Sequence, residues 1–204
     1  CSRPRIARPK RLKFPILVKP LKEEASHGIS QASFVETDEQ FNERVAFIHA
    51  KFDNDVIAEE YIEGREFYVS IIGNHRLQEL PIRELVFREV PLDEPKIATY
   101  KAKWDEEYRK RWGLQNVFPE GLDAAVTRKI EETCKRIYRL LTIDGYARID
   151  LRLTAANEVY FIEANPNPIL AADEDFAESA KKAGLSYPRL VERIIQLGMK
   201  AVRD

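Results

Sequence analysis

"GYARIDLRLTAANEVYFIEANPNPIL" occupies residues 145–170, and the way it folds back on itself decides the architecture. From Tyr146 to Leu153 polar and apolar residues alternate, so Tyr146, Arg148, Asp150 and Arg152 share one face of a strand while Ala147, Ile149, Leu151 and Leu153 share the other. Glu158 to Asn165 reads as a second strand, joined to the first by "TAAN", with Phe161, Glu163 and Asn165 on one face. A connection of even length predicts Arg148 opposite Glu163, with Asp150 diagonal to it. Pro166 and Pro168 then stop the strand. Two carboxylates, an amide oxygen and a guanidinium thereby fall on one patch. Grouped carboxylates repel unless a cation holds them, and an all-oxygen set with few side chains suits Mg²⁺, which keeps waters and takes phosphate oxygens as further ligands. The competing reading is a solvated hairpin face with one Arg–Glu cross-strand pair.

The bulk of the chain agrees with a globular domain. Its 204 residues are 44% hydrophobic and 33% charged, which excludes disordered and collagen-like classes. With 33 Lys and Arg against 34 Asp and Glu, no whole-molecule field draws in nucleic acid or an anionic membrane. Cys1 and Cys134 are too far apart for a CxxC metal pair, and no apolar run approaches the roughly 20 residues of a membrane span, so a cytoplasmic protein is expected. Residues 1–13 are basic and read as a linker or the start of a fragment.

Along the chain, Phe14–Lys19 reads as a strand and residues 21–30, "LKEEASHGIS", as a loop. Thr37 and Gln40 have capping-box spacing ahead of a helix bearing Phe41, Val45, Ile48 and Phe52. Strands follow at 56–61 and 67–72, then a Gly73-Asn74 turn into a strand over 77–85. Residues 88–116 read as mostly irregular, with a helical turn near Glu106. Leu122, Val126, Ile130, Cys134, Ile137 and Leu141 mark a long helix. Two more helices close the chain, one ending at Gly184 and one from Ser186 with Leu190, Ile194, Ile195 and Leu197 inward.

Other stretches carry candidate chemistry. Lys19 ends a strand directly before a loop of small and polar residues, where its ammonium can reach a phosphate; a solvated strand-end lysine is the plainer reading. "EEYIEGREF" ends a strand, turns at Gly64 and presents Glu66, so that backbone groups of Glu60, Tyr61 and Ile62 can read a base edge while a carboxylate accepts from ribose. Lys103 in "YKAKW" is a further candidate cation.

In this order, "FPILVKP", "EEASHGIS", "EEYIEGREF", "YKAKW", "GYARIDLRL", "VYFIEANPNP" and "AGLSYPRLVERII" resemble the ATP-grasp ligases, in particular the D-alanine–D-alanine ligase branch, over nearly all of residues 14–197. The resemblance implies an α+β fold with two antiparallel-sheet subdomains, here 14–66 and 67–204, holding a nucleotide between them. It implies an ATP-dependent carbon–nitrogen ligase that phosphorylates a carboxylate with Mg²⁺- or Mn²⁺-ATP and lets an amine attack the acyl phosphate. Its partners would be small carboxylate and amine substrates such as amino acids or peptides, without nucleic acid or membrane, and a homodimer is left open.

By position, Lys19 and Lys103 match the family's phosphate lysines. Glu59, Glu60, Tyr61 and Ile62 match the adenine hinge, and Glu66 the ribose carboxylate. Asp150, Glu163 and Asn165 match the metal ligands, Arg148 the oxyanion arginine, and Ser26 and Gly28 the phosphate-covering loop. Two departures stand out. Glu24 and Ala25 replace Gly and Ser in that loop, which keeps a degenerate nucleotide-binding module as the alternative. After "EANPNP" the acidic "ILAADEDF" would repel a second carboxylate, so a substrate pair other than two D-alanines is expected.

Overall fold

A computed structural model describes residues 6–91 and 94–201 of the chain, so Cys1, Arg3 and Arg5 of the basic arm lie outside the described residues. The chain forms two compact units, residues 1–62 with 87–114 and residues 63–86 with 115–204. The break between the units falls at Ile62/Glu63. The segment 87–114, expected in the second subdomain, groups with the first.

In the first unit, β1 (Ile16–Pro20) is the middle strand of an antiparallel sheet, between β2 (Phe34–Val35) and β3 (Val56–Glu60). Ile16 and Val18 alternate inward onto α1 (Asp38–Phe52), where Phe41, Val45 and Ile48 recur at helical spacing and complete the core with Val35. Thr37 caps the helix by accepting from the Gln40 backbone N–H at 3.2 Å. The Gln40 side chain reaches Glu36 N instead of closing the expected box on Thr37. Of the basic arm, Arg8 binds Asp38 at 2.8 Å and lies over the Phe14 ring. Residues 88–116, expected to be mostly irregular with a helical turn near Glu106, contain that turn as α3 (Glu106–Arg111) and, before it, α2 (Tyr100–Trp104), each begun by its own cap, Asp105 and Thr99.

The second unit is built on β4 (Arg65–Ile72), β5 (Gln78–Glu79), β6 (Arg83–Phe87), β7 (Leu114–Val117), β8 (Tyr146–Leu153) and β9 (Val159–Asn165). Their order is β7-β6-β4-β8-β9, with β5 on β4. The strand expected over 77–85 is two short strands, because Pro81 lies between them and the register against β4 shifts by one residue. Phe67, Val69 and Ile71 of β4 and Ala147, Ile149, Leu151 and Leu153 of β8 point to α4 (Ala124–Leu140), whose Ile130, Cys134 and Tyr138 are buried against them. Each Phe, Val, Ile or Leu side chain among them contributes about 1.5–3 kcal/mol on burial. Ile72 and Tyr146 on the opposite face meet α5 (Asp175–Lys182) and α6 (Tyr187–Ala201) through Phe176, Ala180 and Leu190. That leaves the polar stretch of the same face, from Glu66 to Ser70 and from Arg148 to Arg152, clear of this apolar cluster. Ile195, expected to point inward, is 57% exposed; the apolar stripe of α6 runs through Leu190, Ile194 and Leu197.

Candidate active site

The β8–β9 hairpin brings Asp150 directly opposite Glu163 and Arg148 opposite Asn165. This register differs from the expected one for two reasons. Leu153 pairs with Val159, so the loop holds five residues instead of four, and a bulge between Asp150 and Leu151 shifts the ladder by one more residue. Phe161 pairs with Leu151 and so leaves the face carrying Glu163 and Asn165. The bulge re-aims Glu163 onto the polar face of β8, where the amide nitrogen of Asn165 lies 3.3 Å from Asp150 Oδ2 and 3.4 Å from Glu163 Oε1.

Arg148 grips Asp150 with both arms of its fork, Nε to Oδ1 at 2.7 Å and Nη2 to Oδ2 at 2.8 Å. Its guanidinium lies 4.7 Å from the centroid of Tyr68, the β4 residue paired with Asp150. Burial acts to lower the Arg148 pKa, but Asp150 outweighs it and the group is held above its ordinary value. Tyr68 donates to Glu66 Oε1 at 2.9 Å, and Arg152 donates to Glu66 Oε2 at 2.8 Å. Burial, followed by the charges of Glu66 and Asp150, pushes the Tyr68 phenol well above its usual pKa, so it acts here as a neutral donor. Glu66 is 7% exposed with both oxygens engaged, and an ionised carboxylate retains lone pairs for further donors.

The first-unit candidates form two groups. Lys19 and Glu59, two positions apart across the β1–β3 ladder, make an ion pair of 2.6 Å on the face turned away from α1. Glu60 accepts from the backbone N–H of Lys13, and the Tyr61 N–H donates to Pro15 O at 2.9 Å, so that donor is already used. Ile62 ends the first segment of the unit. Ser26 and Gly28 lie in consecutive tight turns, with His27 N–H donating to Glu24 O and Ile29 N–H to Ser26 O. Gly28 has φ of +79°, and a Cβ there would meet Pro20 Cγ at 2.6 Å, so only glycine fits. This loop is held down: Trp104 Nε1 donates to Ala25 O at 3.2 Å, Tyr100 N–H donates to Ile29 O, and the buried Arg44 donates to Gly28 O. Lys103, on α2, has no ion pair among the described residues.

Whether the second-unit patch suits a divalent cation follows from its donors. Among the described residues no three His, Cys, Asp or Glu side chains gather in one cluster, so a softer transition-metal site has no ligand set. Two carboxylates and an amide, hard oxygen donors at one spot, match an ion that keeps part of its water shell. Turning the Asn165 amide about its last bond would present Oδ1 in place of Nδ2. The residues fit Mg²⁺ or Mn²⁺.

The hairpin places Arg152 on the polar face but not its partner Glu66, and it does not contain Tyr68. The signal was present in "EFYVSII", where Glu66, Tyr68 and Ser70 alternate with Phe67, Val69 and Ile71 just as in the hairpin. A second polar cluster, Arg83–Asp175–Asn116, fastens the start of α5 to β6 and β7: Arg83 Nε donates to Asp175 Oδ1 at 3.0 Å and Asn116 Nδ2 to Oδ2 at 2.6 Å.

The family model "D-ala D-ala ligase C-terminus" matches residues 6–196. An uncharacterized protein, y4sG, of Sinorhizobium fredii is 28% identical over 91% of this chain and 52% of its own length. The D-alanine–D-alanine ligase of Syntrophobacter fumaroxidans is 28% identical over 93% of this chain and 57% of its own. A crystal structure of the Bacillus anthracis D-alanine–D-alanine ligase complexed with ATP superposes with a TM-score of 0.71 at 22% identity, covering 94% of this chain and 54% of that one, which shows the α+β fold. The chain thus spans about half the length of the curated relatives it matches. With the family model covering almost all of its residues, the chain belongs to the D-alanine–D-alanine ligase C-terminal domain family.

Proposed function

We propose that the protein containing this chain joins a carboxylate to an amine at the expense of ATP. The observation that carries this reading is the gathering of Asp150, Glu163, Asn165 and Arg148 on one face of one sheet. Naming of curated relatives as D-alanine–D-alanine ligases supports it, as does the ATP complex of the Bacillus anthracis enzyme. A carboxylate oxygen attacks the terminal phosphorus and ADP leaves. The amine then attacks the acyl carbon, phosphate departs and a proton is lost.

Asp150, Glu163 and Asn165 would hold Mg²⁺ or Mn²⁺. Such an ion, when bound, neutralises and orients the phosphates. Arg148, fixed by Asp150 and Tyr68, offers its charge to the developing oxyanion. Lys19 and Lys103 serve as phosphate cations, and Glu59 sets the position of the Lys19 ammonium. Glu59, Glu60, Tyr61 and Ile62 form the base-reading edge and Glu66 meets the ribose. Ser26 and Gly28 cover the phosphates through the 21–30 loop. Asp173 and Glu174, exposed ahead of α5, favour an acceptor other than D-alanine. A cytoplasmic location is part of the proposal because the reaction consumes ATP; no helix among the described residues is long and apolar enough to cross a membrane. A homodimer is part of the proposal, to be checked by light scattering.

The deciding experiment is a screen of the full-length protein for ADP release with Mg²⁺, against amino acids and short peptides. Amine-dependent ADP and phosphate release, lost in Glu163→Gln, is expected. Nucleotide binding without turnover on any acceptor would leave only the degenerate module.

A further inference from the structure

Beyond the end of β4, the second unit contains a cavity of about 620 Å³ lined by Asn74, His75 and Arg76 of the turn and by Arg193, Gln196, Leu197 and Lys200 of α6. None of these lining residues is acidic. Arg193, Gln196, Leu197 and Lys200 stand at i, i+3, i+4 and i+7 of α6, so they form one helix face, while His75 and Arg76 approach from the turn after β4. Three cationic side chains, Arg76, Arg193 and Lys200, from two elements therefore converge with His75 on one hollow, in a chain whose overall charge is only -1.

The frame around them is rigid. Gly73 has φ of +135° and passes so close to Arg76 O that a Cβ would lie 2.2 Å from it. Its N–H donates to Gly145 O at 2.8 Å, and its carbonyl accepts from the buried Tyr138 hydroxyl at 2.9 Å. Asn74 accepts from Gly145 N–H at 2.9 Å and donates to Leu197 O at 3.2 Å, which ties the turn to α6. Arg193 is held by a neutral partner, Gln78 Oε1, at 2.7 Å, so its charge is oriented without being cancelled. Lys200 could be explained as a cation at a helix C-terminus. That explanation does not reach Arg193, two turns earlier, or Arg76, on another element.

We propose that this cavity binds a small polyphosphate anion, at a site separate from Asp150 and Glu163. Its volume lies within the range of small-molecule sites and exceeds what one phosphate fills. Two guanidinium forks and an ammonium match the oxygens of a diphosphate. The proposal does not rest on the ligase reading.

Inorganic pyrophosphate, titrated calorimetrically into the full-length protein in magnesium-free buffer, tests it. Saturable binding is expected, weakened about tenfold by Arg76→Ala and further by Arg193→Gln, each removing one charged donor. Lys19→Met should leave it unchanged, as should Glu163→Gln, which separates this site from the proposed nucleotide site. Arg76 is exposed, so its replacement leaves the fold intact. The proposal is overturned if Arg76→Ala and Arg193→Gln bind pyrophosphate like the wild type, if citrate binds equally well, or if poly(U) binds where pyrophosphate does not.

Discussion

Asp150 and Glu163 face each other across the β8–β9 ladder, and the Asn165 amide sits within 3.4 Å of both carboxylates. Like charges placed directly opposite destabilise a sheet, so the pairing costs stability unless a cation settles there. The two acids nevertheless play different structural parts. Asp150 is 4% exposed and neutralises Arg148, whereas Glu163 is exposed. Glu163→Gln should therefore lower Mg²⁺-ATP turnover by about 10²- to 10³-fold and, by removing one of the two facing charges, leave the melting temperature at or slightly above that of the wild type. Asp150→Asn should lose both turnover and up to about 3 kcal/mol of stability, because a largely buried guanidinium loses its charged partner. Equal melting curves for the two variants would contradict this division; urea denaturation alongside an ADP-release assay measures both.

Lys19 is the candidate phosphate cation with the best-defined partner. Its 2.6 Å pair with Glu59 is partly solvated, so breaking it should change stability by no more than about 1 kcal/mol. A lysine whose role is phosphate contact behaves differently toward ligand. Lys19→Met should weaken ATP binding about tenfold or more while moving the denaturation midpoint little. An ATP affinity matching wild type would remove Lys19 from the site.

The loop over residues 21–30 is predicted to be a fixed element. Gly28 combines a left-handed backbone with a Pro20 ring where a Cβ would stand, and Pro20 cannot turn aside. Gly28→Ala should cost more than about 1 kcal/mol by chemical denaturation. Trp104→Phe, which removes only the donor to Ala25 O, should raise the rate of proteolysis within the loop at nearly unchanged global stability. Wild-type cleavage rates in Trp104→Phe would show that this contact does not hold the loop.

Much of this was legible in the sequence because period-two alternation survives folding: Arg148, Asp150 and Arg152 lie on one face and Ile149 and Leu151 on the other, as their spacing requires. What spacing could not supply was register. A bulge has no residue signature in "YFIEAN", and a loop of four or five residues looks alike in "LTAANEV", so the partner of Glu163 was out of reach. Residues 88–116 were legible only at the turn near Glu106, which is α3, and the rest was opaque for another reason. α2 and α3 are only 5 and 6 residues long, below the length at which an apolar stripe is visible, although their caps Thr99 and Asp105 stood in the sequence. The Lys19–Glu59 pair depends on the β1–β3 ladder, which joins residues far apart in the chain.

Outside the candidate site, Glu131 on α4 offers a pH test of the fold. Burial first, then the nearby charge of Glu79, raises its pKa, while Lys135 and Arg128 act in the opposite sense. The folded pKa lies above the unfolded one, so ionisation disfavours the native state. This group's contribution is complete below the unfolded pKa and is lost as pH rises through the folded value. Glu131→Gln cannot ionise and should be more stable than wild type at neutral pH, by no more than about 1 kcal/mol after allowing for solvent screening. Below about pH 4 the two proteins should converge. Lys135→Met should shift stability the other way at neutral pH, because it strips Glu79 of its ion-pair partner and leaves the two acids facing each other. Urea midpoints at both pH values decide it: a Glu131→Gln gain that persists in acid would mean that packing, not charge, is responsible.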